Sequence, residues 1–250
     1  MGAELARQLA PQRPTLILLA RDREKLERVA AECRALGAAA SVEVADVTDE
    51  ARCRAVIAAT VERHGGIDAL VLNAGLGMWA RVEEITDVSV FERIMRVNYL
   101  GSVYLTCAAL PTLRARRGQI VVMSSLTGKV GVPTRSGYAA SKHALHGFFD
   151  SLRIELMGSG VAITMVCPGF VSTEWRRRNL GASGAAKDMS HVREAQAMRP
   201  EVAVATMLRA MTRRDREVVY TWRGKIGQWI RLIAPSLTDR MAARAIKTGV

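Results

Sequence analysis

The sequence predicts an α/β protein in which helices cover both faces of a doubly wound parallel sheet. Short, almost continuously apolar runs alternate with longer amphipathic segments. Strands that are buried on both faces produce such runs because neither face meets water. The chain has 250 residues, of which 49% are hydrophobic, a size and composition typical of one domain with a full core. We therefore expect residues 1–250 to form a single domain.

The apolar runs predict six strands. They are Thr15–Ala20, Ser41–Ala45, Asp68–Leu72, Gln119–Met123, Val161–Cys167 and a shorter run at Glu217–Tyr220. The segments between them predict helices, which are Arg23–Leu36, Glu50–His64, Val90–Arg116 and Tyr138–Met157. Asp22 precedes the first of these helices, and we expect its carboxylate to accept hydrogen bonds from the free N–H groups there. Because strands and helices alternate, the strands should run parallel.

The charge balance favours a basic soluble enzyme. The chain carries 36 Lys and Arg against 24 Asp and Glu, a net charge of +12, and such a surface attracts nucleic acid, acidic lipid or a phosphorylated cofactor. The arginines are dispersed and no known DNA- or RNA-reading motif occurs, so we expect no nucleic-acid partner. A basic nucleic-acid- or membrane-binding module is a competing interpretation. No apolar run reaches the ~18 residues of a membrane span, and no signal peptide is recognisable, so we expect a cytoplasmic protein.

Cysteine and histidine spacing gives no metal site. The four cysteines are widely spaced and form no CxxC pair, which excludes a zinc ribbon or a thioredoxin-type centre. His143 and His146 are three residues apart on a predicted helix, but no carboxylate or third histidine stands nearby at ligand spacing. We therefore expect no metal ion.

The strongest chemical signal is the segment Tyr138-Ala-Ala-Ser-Lys142. Two residues four apart on a helix lie on one face with Cβ atoms ~5–6 Å apart. A phenol has a pKa near ~10, and a neighbouring ammonium favours its ionised form by about 4 kcal/mol at ~4 Å and an effective dielectric of ~20. We therefore expect Lys142 to lower the pKa of Tyr138 and to make it an acid–base group near neutral pH.

Other polar residues stand where a sheet of this class binds ligands. Ser125 follows a predicted strand and lies thirteen residues before Tyr138, and a hydroxyl there can donate to a substrate oxygen. Asn73, Ala74 and Gly75 follow another strand, and their small size lets a ligand approach the backbone. Asn98 lies inside a predicted helix. This position is unfavourable for asparagine, which indicates that Asn98 has a functional role.

These motifs, in this order and spacing, resemble the classical short-chain dehydrogenases/reductases. The resemblance covers Gly2 to Thr173 closely and the rest loosely. It implies a Rossmann-type fold and hydride transfer between a nicotinamide cofactor and a carbonyl or alcohol. By motif, Tyr138 would be the catalytic acid–base group and Lys142 would bind the nicotinamide ribose. Ser125 would orient the substrate oxygen, and Asn98 would hold a water molecule that relays protons. The remaining implied cofactor contacts are Asp46 and Val47 at the adenine, Asn73, Ala74 and Gly75 along the channel, and Pro168, Gly169, Val171 and Thr173 at the carboxamide.

Cofactor choice follows from the residue after the first predicted strand. Arg21 stands where NAD enzymes place an acidic residue, and a guanidinium suits the 2′-phosphate of NADP. Asp22 comes one residue later, where we expect it to cap the helix instead. We therefore expect NADP rather than NAD.

The resemblance breaks at the start of the printed chain. The TGxxxGxG loop of the family should precede Ala3, and only its last glycine could correspond to Gly2. The missing loop would supply backbone amides to a pyrophosphate, and the missing first strand would be a central member of the sheet. We expect a native protein with ~15–25 further residues upstream. A non-catalytic nucleotide-binding or scaffold homologue is the alternative.

Two segments near the C-terminus, residues 174–199 and 222–250, also have predicted roles. Residues 174–199 are polar and basic and should form a substrate lid, whose arginines could favour an acidic or CoA-like substrate. Residues 222–250 should form a helical tail, in which apolar residues at helical spacing alternate with basic ones. Packing in the core or in a dimer is the favoured interpretation of the tail, and peripheral membrane contact is the other. Apolar stripes on the two long helices suggest a homodimer or homotetramer.

A chain extended upstream provides a test of the expected first strand. We expect the extended protein to bind NADPH more tightly and to melt at a higher temperature than the printed chain, because it regains the pyrophosphate amides and a buried strand. Equilibrium NADPH titration and thermal melting of both proteins measure this. Equal affinity and equal melting temperature would contradict the expectation.

Overall fold

The computed structural model describes residues 1–188 and 197–247. The strands are β1 (Thr15–Ala20), β2 (Ala39–Val44), β3 (Ala69–Leu72), β4 (Gln119–Met123), β5 (Ala162–Cys167), β6 (Asn179–Leu180), β7 (Ala186–Lys187) and β8 (Glu217–Val219). The helices are α1 (Gly2–Leu9), α2 (Arg23–Ala35), α3 (Glu50–His64), α4 (Ser89–Met95), α5 (Gly101–Ala115), α6 (Ser136–Glu155), α7 (Pro200–Arg213), α8 (Trp222–Ile233) and α9 (Pro235–Lys247). All six predicted strands are present, with boundaries within two residues of those predicted.

The long strands are parallel throughout. Strands β3, β4, β5 and β8 form one sheet in that order, and β1 pairs with β2 in a second sheet. Strands β6 and β7 form a short antiparallel hairpin. Within the described ranges, β1 and β3 are not hydrogen-bonded to each other. Parallel strands with their carboxyl ends at one edge form a crevice there, and this edge positions the site described below.

The two faces of the sheet bury different residues of the same strands. Ile120 and Val122 of β4 pack in a cluster with residues of α3, α5 and α6, whereas Val121 and Met123 pack in a cluster with residues of α1 and α7. Successive side chains of a strand point to opposite faces, so a continuously apolar strand requires helices on both. The doubly wound α/β prediction is confirmed.

Local sequence sets several helix ends. The carboxylate of Asp22 accepts a hydrogen bond from the backbone N–H of Lys25 at 3.1 Å, as expected for a helix cap. Asp49 caps α3 in the same way through the N–H of Arg52. Helix α3 ends at His64, and the capping residue Gly65 follows with a φ of 73°, in the left-handed region that glycine adopts without strain.

The C-terminal third departs from a simple alternation of strands and helices. The predicted lid, residues 174–199, contains a 3₁₀ helix at Glu174–Arg178 and the β6–β7 hairpin, while its residues 189–196 lie outside the described part. The predicted tail, residues 222–250, forms α8 and α9, and its residues 248–250 are likewise outside. Within the described ranges, no helix has the length and apolar character needed to cross a membrane.

Candidate active site

A pocket of about 160 Å³ opens at the carboxyl ends of β3, β4 and β5. Its walls come from the loops that follow these strands and from the first turns of α6. The pocket brings together nine of the site residues predicted from the sequence: Asn73, Gly75, Ser125, Tyr138, Lys142, Pro168, Gly169, Val171 and Thr173. Nine predicted site residues from four separate segments therefore share one cavity.

Tyr138 is a buried phenol on the first turn of α6. Burial raises its pKa above the ordinary value of 10.0 because it penalises the phenolate. The hydroxyls of Ser125 and Thr127 and the charge of Arg135 act in the opposite direction, but burial outweighs them. The phenol is therefore protonated at neutral pH in this structure.

Lys142 is a buried cation one helical turn after Tyr138. Its Nζ donates a hydrogen bond of 2.6 Å to the carbonyl of Met123, the last residue of β4. Burial lowers the pKa of Lys142 from 10.5 to about 8 because the ammonium has lost its water. The ammonium is thus partly neutral near pH 8 and fully charged well below it.

The expected electrostatic coupling between these two residues is not found. Tyr138 and Lys142 do lie on one helix face, but the Lys142 Nζ lies 5.7 Å from the centroid of the Tyr138 ring and is directed to the Met123 carbonyl. The prediction that Lys142 brings the Tyr138 pKa towards neutrality is therefore wrong for this structure. Desolvation of both groups is stronger than their mutual influence.

Ser125 lies where β4 ends and a short 3₁₀ helix, Leu126–Gly128, begins. Its side chain accepts a hydrogen bond of 3.2 Å from the backbone N–H of Thr127, which fixes the hydroxyl at the pocket wall. An oxygen that already accepts one bond keeps its own proton for a second partner. Ser125 can therefore donate to an oxygen bound in the pocket.

Asn98 is fully buried in a π-helical turn, Arg96–Leu100, that joins α4 to α5. The sequence predicted one uninterrupted helix here, and π turns inside helices are frequent at functional sites. The Asn98 amide accepts a bond from the Leu76 N–H at 2.6 Å and donates to the Leu76 carbonyl and to Ser141 Oγ. Asn98 therefore fixes the loop after β3 against α6. The predicted water relay stays a prediction.

The predicted adenine-binding pair lies outside the pocket. Arg21 follows β1 and its guanidinium lies 3.5 Å from the Asp46 carboxylate. Burial of Asp46 opposes its ionisation, but hydrogen bonds from Thr48 and the charge of Arg21 outweigh this effect and lower the pKa of Asp46. Val47 packs under α5, where a Cβ on Gly101 would lie 2.8 Å from its Cγ2.

Gly2 and Ala74 also lie outside the pocket lining. A Cβ on Gly2 would come within 2.7 Å of the side-chain nitrogen of Asn73, so α1 begins directly against the loop after β3. Ala74 is exposed in that loop. These two residues border the pocket through Asn73 rather than lining it.

An aromatic wall borders the pocket. The sequence alone left open whether Trp175 would line an apolar pocket or simply pack, and the structure places it in the pocket wall. The indole N–H of Trp175 donates to the carbonyl of Gly75 at 2.8 Å, and the Trp175 ring lies 5.6 Å from the Tyr138 ring. The Arg135 guanidinium lies 4.5 Å from the Trp79 ring centroid and 5.0 Å from that of Phe170. Trp175 could be considered from the sequence because it follows Thr173 by two residues. The contacts of Arg135 with Trp79 and Phe170 gave no sequence signal, because they join distant segments.

A second polar cluster lies one helical turn beyond Lys142. Ligand atoms of His146, Cys167 and Glu217 lie within 4.8 Å of one another, so the statement that no carboxylate approaches His146 holds for the sequence but not for the fold. His146 contacts Ser124 Oγ at 2.9 Å, and Lys129 pairs with Glu217 at 2.7 Å. Burial lowers the pKa of His146 to about 4. His146 and Glu217 each therefore have a polar partner within the protein.

Comparisons with known proteins agree with the geometry. The family model for short chain dehydrogenases matches residues 1–182. The chain is 35% identical over 245 residues to 11-beta-hydroxysteroid dehydrogenase A of Sesamum indicum, covering 96% of this chain and 70% of that protein. It is 33% identical over 244 residues to a dehydrogenase/reductase SDR family protein 7-like of Anopheles gambiae, covering 95% and 77%. The crystal structure of an alcohol dehydrogenase from Thermococcus sibiricus, complexed with 5-hydroxy-NADP, superimposes with a TM-score of 0.74 at 25% identity and covers 87% and 89%.

Lys142→Met is expected to stabilise the fold at neutral pH. Removing a buried charge should raise the free energy of unfolding by about 1–3 kcal/mol. The folded pKa of about 8 lies below the unfolded value, so the cost of the charge is complete below pH 8 and disappears as the pH rises towards 10.5. Thermal melting at several pH values should show the largest gain below pH 8.

Lys25→Met provides the matched control, because the Lys25 side chain is half-buried at the surface and its two ion pairs are with exposed carboxylates; the expected change is within about 0.5 kcal/mol. A destabilised Lys142→Met protein at pH 7 would contradict the prediction.

Proposed function

Because the chain belongs to the short-chain dehydrogenase/reductase family and is an oxidoreductase of the class that acts on CH–OH groups, we propose that it transfers a hydride between NADP(H) and a carbonyl or secondary alcohol. This proposal rests mainly on one observation: Ser125, Tyr138 and Lys142 line the same pocket at the carboxyl ends of parallel strands. Ligands bind in such crevices in open α/β sheets.

Each polar residue has a distinct task in the proposed reaction. The bound cofactor supplies or accepts the hydride. Tyr138 donates its phenolic proton to the substrate oxygen during reduction and recovers it during oxidation. Ser125 donates a hydrogen bond to the same oxygen as negative charge grows there. Lys142, one helical turn from Tyr138, would supply the positive charge that stabilises the phenolate formed when Tyr138 gives up its proton.

The high pKa of Tyr138 supports carbonyl reduction as the favoured direction. Burial keeps the phenol protonated at neutral pH, and a protonated phenol is the form needed to donate to a carbonyl oxygen. Oxidation of an alcohol would first require loss of this proton. We therefore propose that the enzyme reduces its carbonyl substrate at neutral pH and that alcohol oxidation requires a more alkaline medium.

The residues after β1 fit the phosphate of NADP. Arg21 is exposed, and its contact with Asp46 is long enough to be exchanged for a stronger bond to a phosphate. Asp22 caps α2, so its carboxylate is already used. Asn73, Gly75, Lys142 and Thr173 line the pocket and would hold the nicotinamide half. The Thermococcus enzyme complexed with an NADP derivative supports the same choice.

The pocket walls support a bulky apolar substrate. Phe170 and Trp175 line the cavity beside Tyr138, and aromatic surfaces bury large ligands with a fixed orientation. The relative from Sesamum indicum is an 11-beta-hydroxysteroid dehydrogenase. We propose a fused-ring or similarly large apolar ketone or alcohol, with its oxygen directed to Ser125 and Tyr138.

Tyr138→Phe tests the proton transfer. The variant should lose about 10²- to 10⁴-fold in kcat, the usual contribution of a positioned acid–base group, while NADPH affinity stays unchanged. Steady-state reduction of a panel of steroidal and smaller ketones measures kcat, and fluorescence titration measures the affinity. Tyr104→Phe on α5, which does not line the pocket, is the control. Unchanged turnover in Tyr138→Phe would remove Tyr138 from the mechanism.

Arg21→Ser tests the cofactor. Loss of a charged hydrogen-bond donor to the 2′-phosphate should weaken NADPH binding about 10- to 100-fold, which corresponds to ~1.5–3 kcal/mol, and should leave NADH binding unchanged. Calorimetric titration of both nucleotides measures this difference. Arg63→Ser, at the end of α3, should alter neither affinity. Equal losses for NADPH and NADH, or none, would contradict the choice of NADP.

A further inference from the structure

Helix α8 exposes a continuous apolar stripe. Trp222, Ile226, Trp229 and Ile233 follow one another at spacings of four, three and four residues, which places them on one helix face. Their side chains are 67%, 48%, 64% and 86% exposed. Single exposed apolar residues are ordinary, but a contiguous row of four including two tryptophans marks a binding surface.

The opposite face of α8 is attached to the protein. A Cβ on Gly224 would lie 2.6 Å from the Leu126 side chain, so the helix backbone lies directly against the loop after β4. Seven residues later, on the same face, Arg231 donates to the Lys129 carbonyl and contacts His143. Because these contacts fix one face to the body of the protein, the apolar stripe is directed away from it.

Helix α9 packs against α8 and exposes further apolar side chains. Leu237 and Met241 are one turn apart and are 47% and 55% exposed. We call the four stripe residues of α8 together with these two the tail surface. It combines large apolar side chains with tryptophan, whose amphipathic ring favours the boundary between water and lipid.

The charge around the tail surface is predominantly positive. Residues 222–247 contain six Lys and Arg and a single acidic residue, Asp239. Of these, Lys225, Arg231 and Arg240 have exposed side chains in the structure, and the whole chain carries a net charge of +12. A basic surface of this kind attracts an anionic partner.

We propose that the tail surface docks in the plane of an anionic lipid bilayer, with the α8 stripe inserted between the headgroups. An amphipathic helix with tryptophan on its apolar face and basic residues beside it is the arrangement that binds such surfaces. A second copy of the chain is disfavoured, because a symmetric interface would bring two tails of the same positive charge together. The proposal does not depend on the proposed reaction.

The tail surface begins beside the pocket. Helix α8 follows β8, and the methyl group of Thr221 would lie 3.9 Å from a Cβ on Gly169 in the pocket wall. A bilayer bound at α8 would therefore meet the protein at the edge of the sheet where the pocket opens.

Vesicle binding of the full chain tests the proposal. Vesicles of pure phosphatidylcholine are compared with vesicles that also contain phosphatidylglycerol, by sedimentation and by tryptophan emission. We expect binding to the anionic vesicles with a blue shift of the emission, and weaker binding at high salt. The double variant Trp229→Glu, Ile233→Glu should partition at least about tenfold less.

The control places the same charges on a different exposed apolar site. Ile154 and Met157, at the end of α6, are 69% and 78% exposed, and Ile154→Glu, Met157→Glu should bind vesicles as the unchanged protein does. Circular dichroism verifies that both variants fold. Equal loss in both variants, or no binding to anionic vesicles, would overturn the proposal. Light scattering that shows a dimer split by Trp229→Glu, Ile233→Glu would assign the surface to a second copy instead.

Discussion

The burial of the Lys142 ammonium against the end of β4 is the constraint on which the site depends. The Met123 carbonyl holds this cation, and two residues later the same strand end presents Ser125 to the pocket. Helix α6 must therefore lie close to the carboxyl end of β4, and that position also brings Tyr138 beside Ser125. A buried charge costs stability unless it is both hydrogen-bonded and paired with an opposite charge. Lys142 has the hydrogen bond, and burial lowers its pKa, so the proposed reaction offers a reason for retaining a lysine here that folding does not.

Desolvation shapes the chemistry of both ionisable groups. The same apolar surroundings raise the pKa of Tyr138 and lower that of Lys142, so each group favours its neutral form more than it would in water. In the proposed reaction, Tyr138 would start protonated and Lys142 would stabilise negative charge that develops nearby. A phenolate that forms during reaction would be the missing counter-charge for Lys142, which links the two shifts to one catalytic event.

The pocket and the tail surface lie at the same edge of the parallel sheet. One edge of the parallel sheet carries the pocket, and the last strand, β8, delivers α8 to that edge. The rest of the fold buries its apolar faces on both sides of the sheet, whereas α8 leaves its stripe in water. The proposed bilayer contact would therefore lie outside the core and the proposed reaction at the edge of the sheet, a separation typical of functions grafted on a common fold.

The sequence by itself determined the elements and the local geometry. Continuously apolar runs identified the strands and amphipathic segments identified the helices. The Tyr138–Lys142 spacing placed both residues on one helix face, and Asp22 marked a cap, because these signals act within a few residues. Tertiary structure alone decided which long-range neighbours meet. The Met123 carbonyl at Lys142, the Glu217 carboxylate near His146 and the exposure of the α8 stripe all join segments far apart in the chain, and burial, which reversed the expected pKa of Tyr138, exists only after those segments have packed.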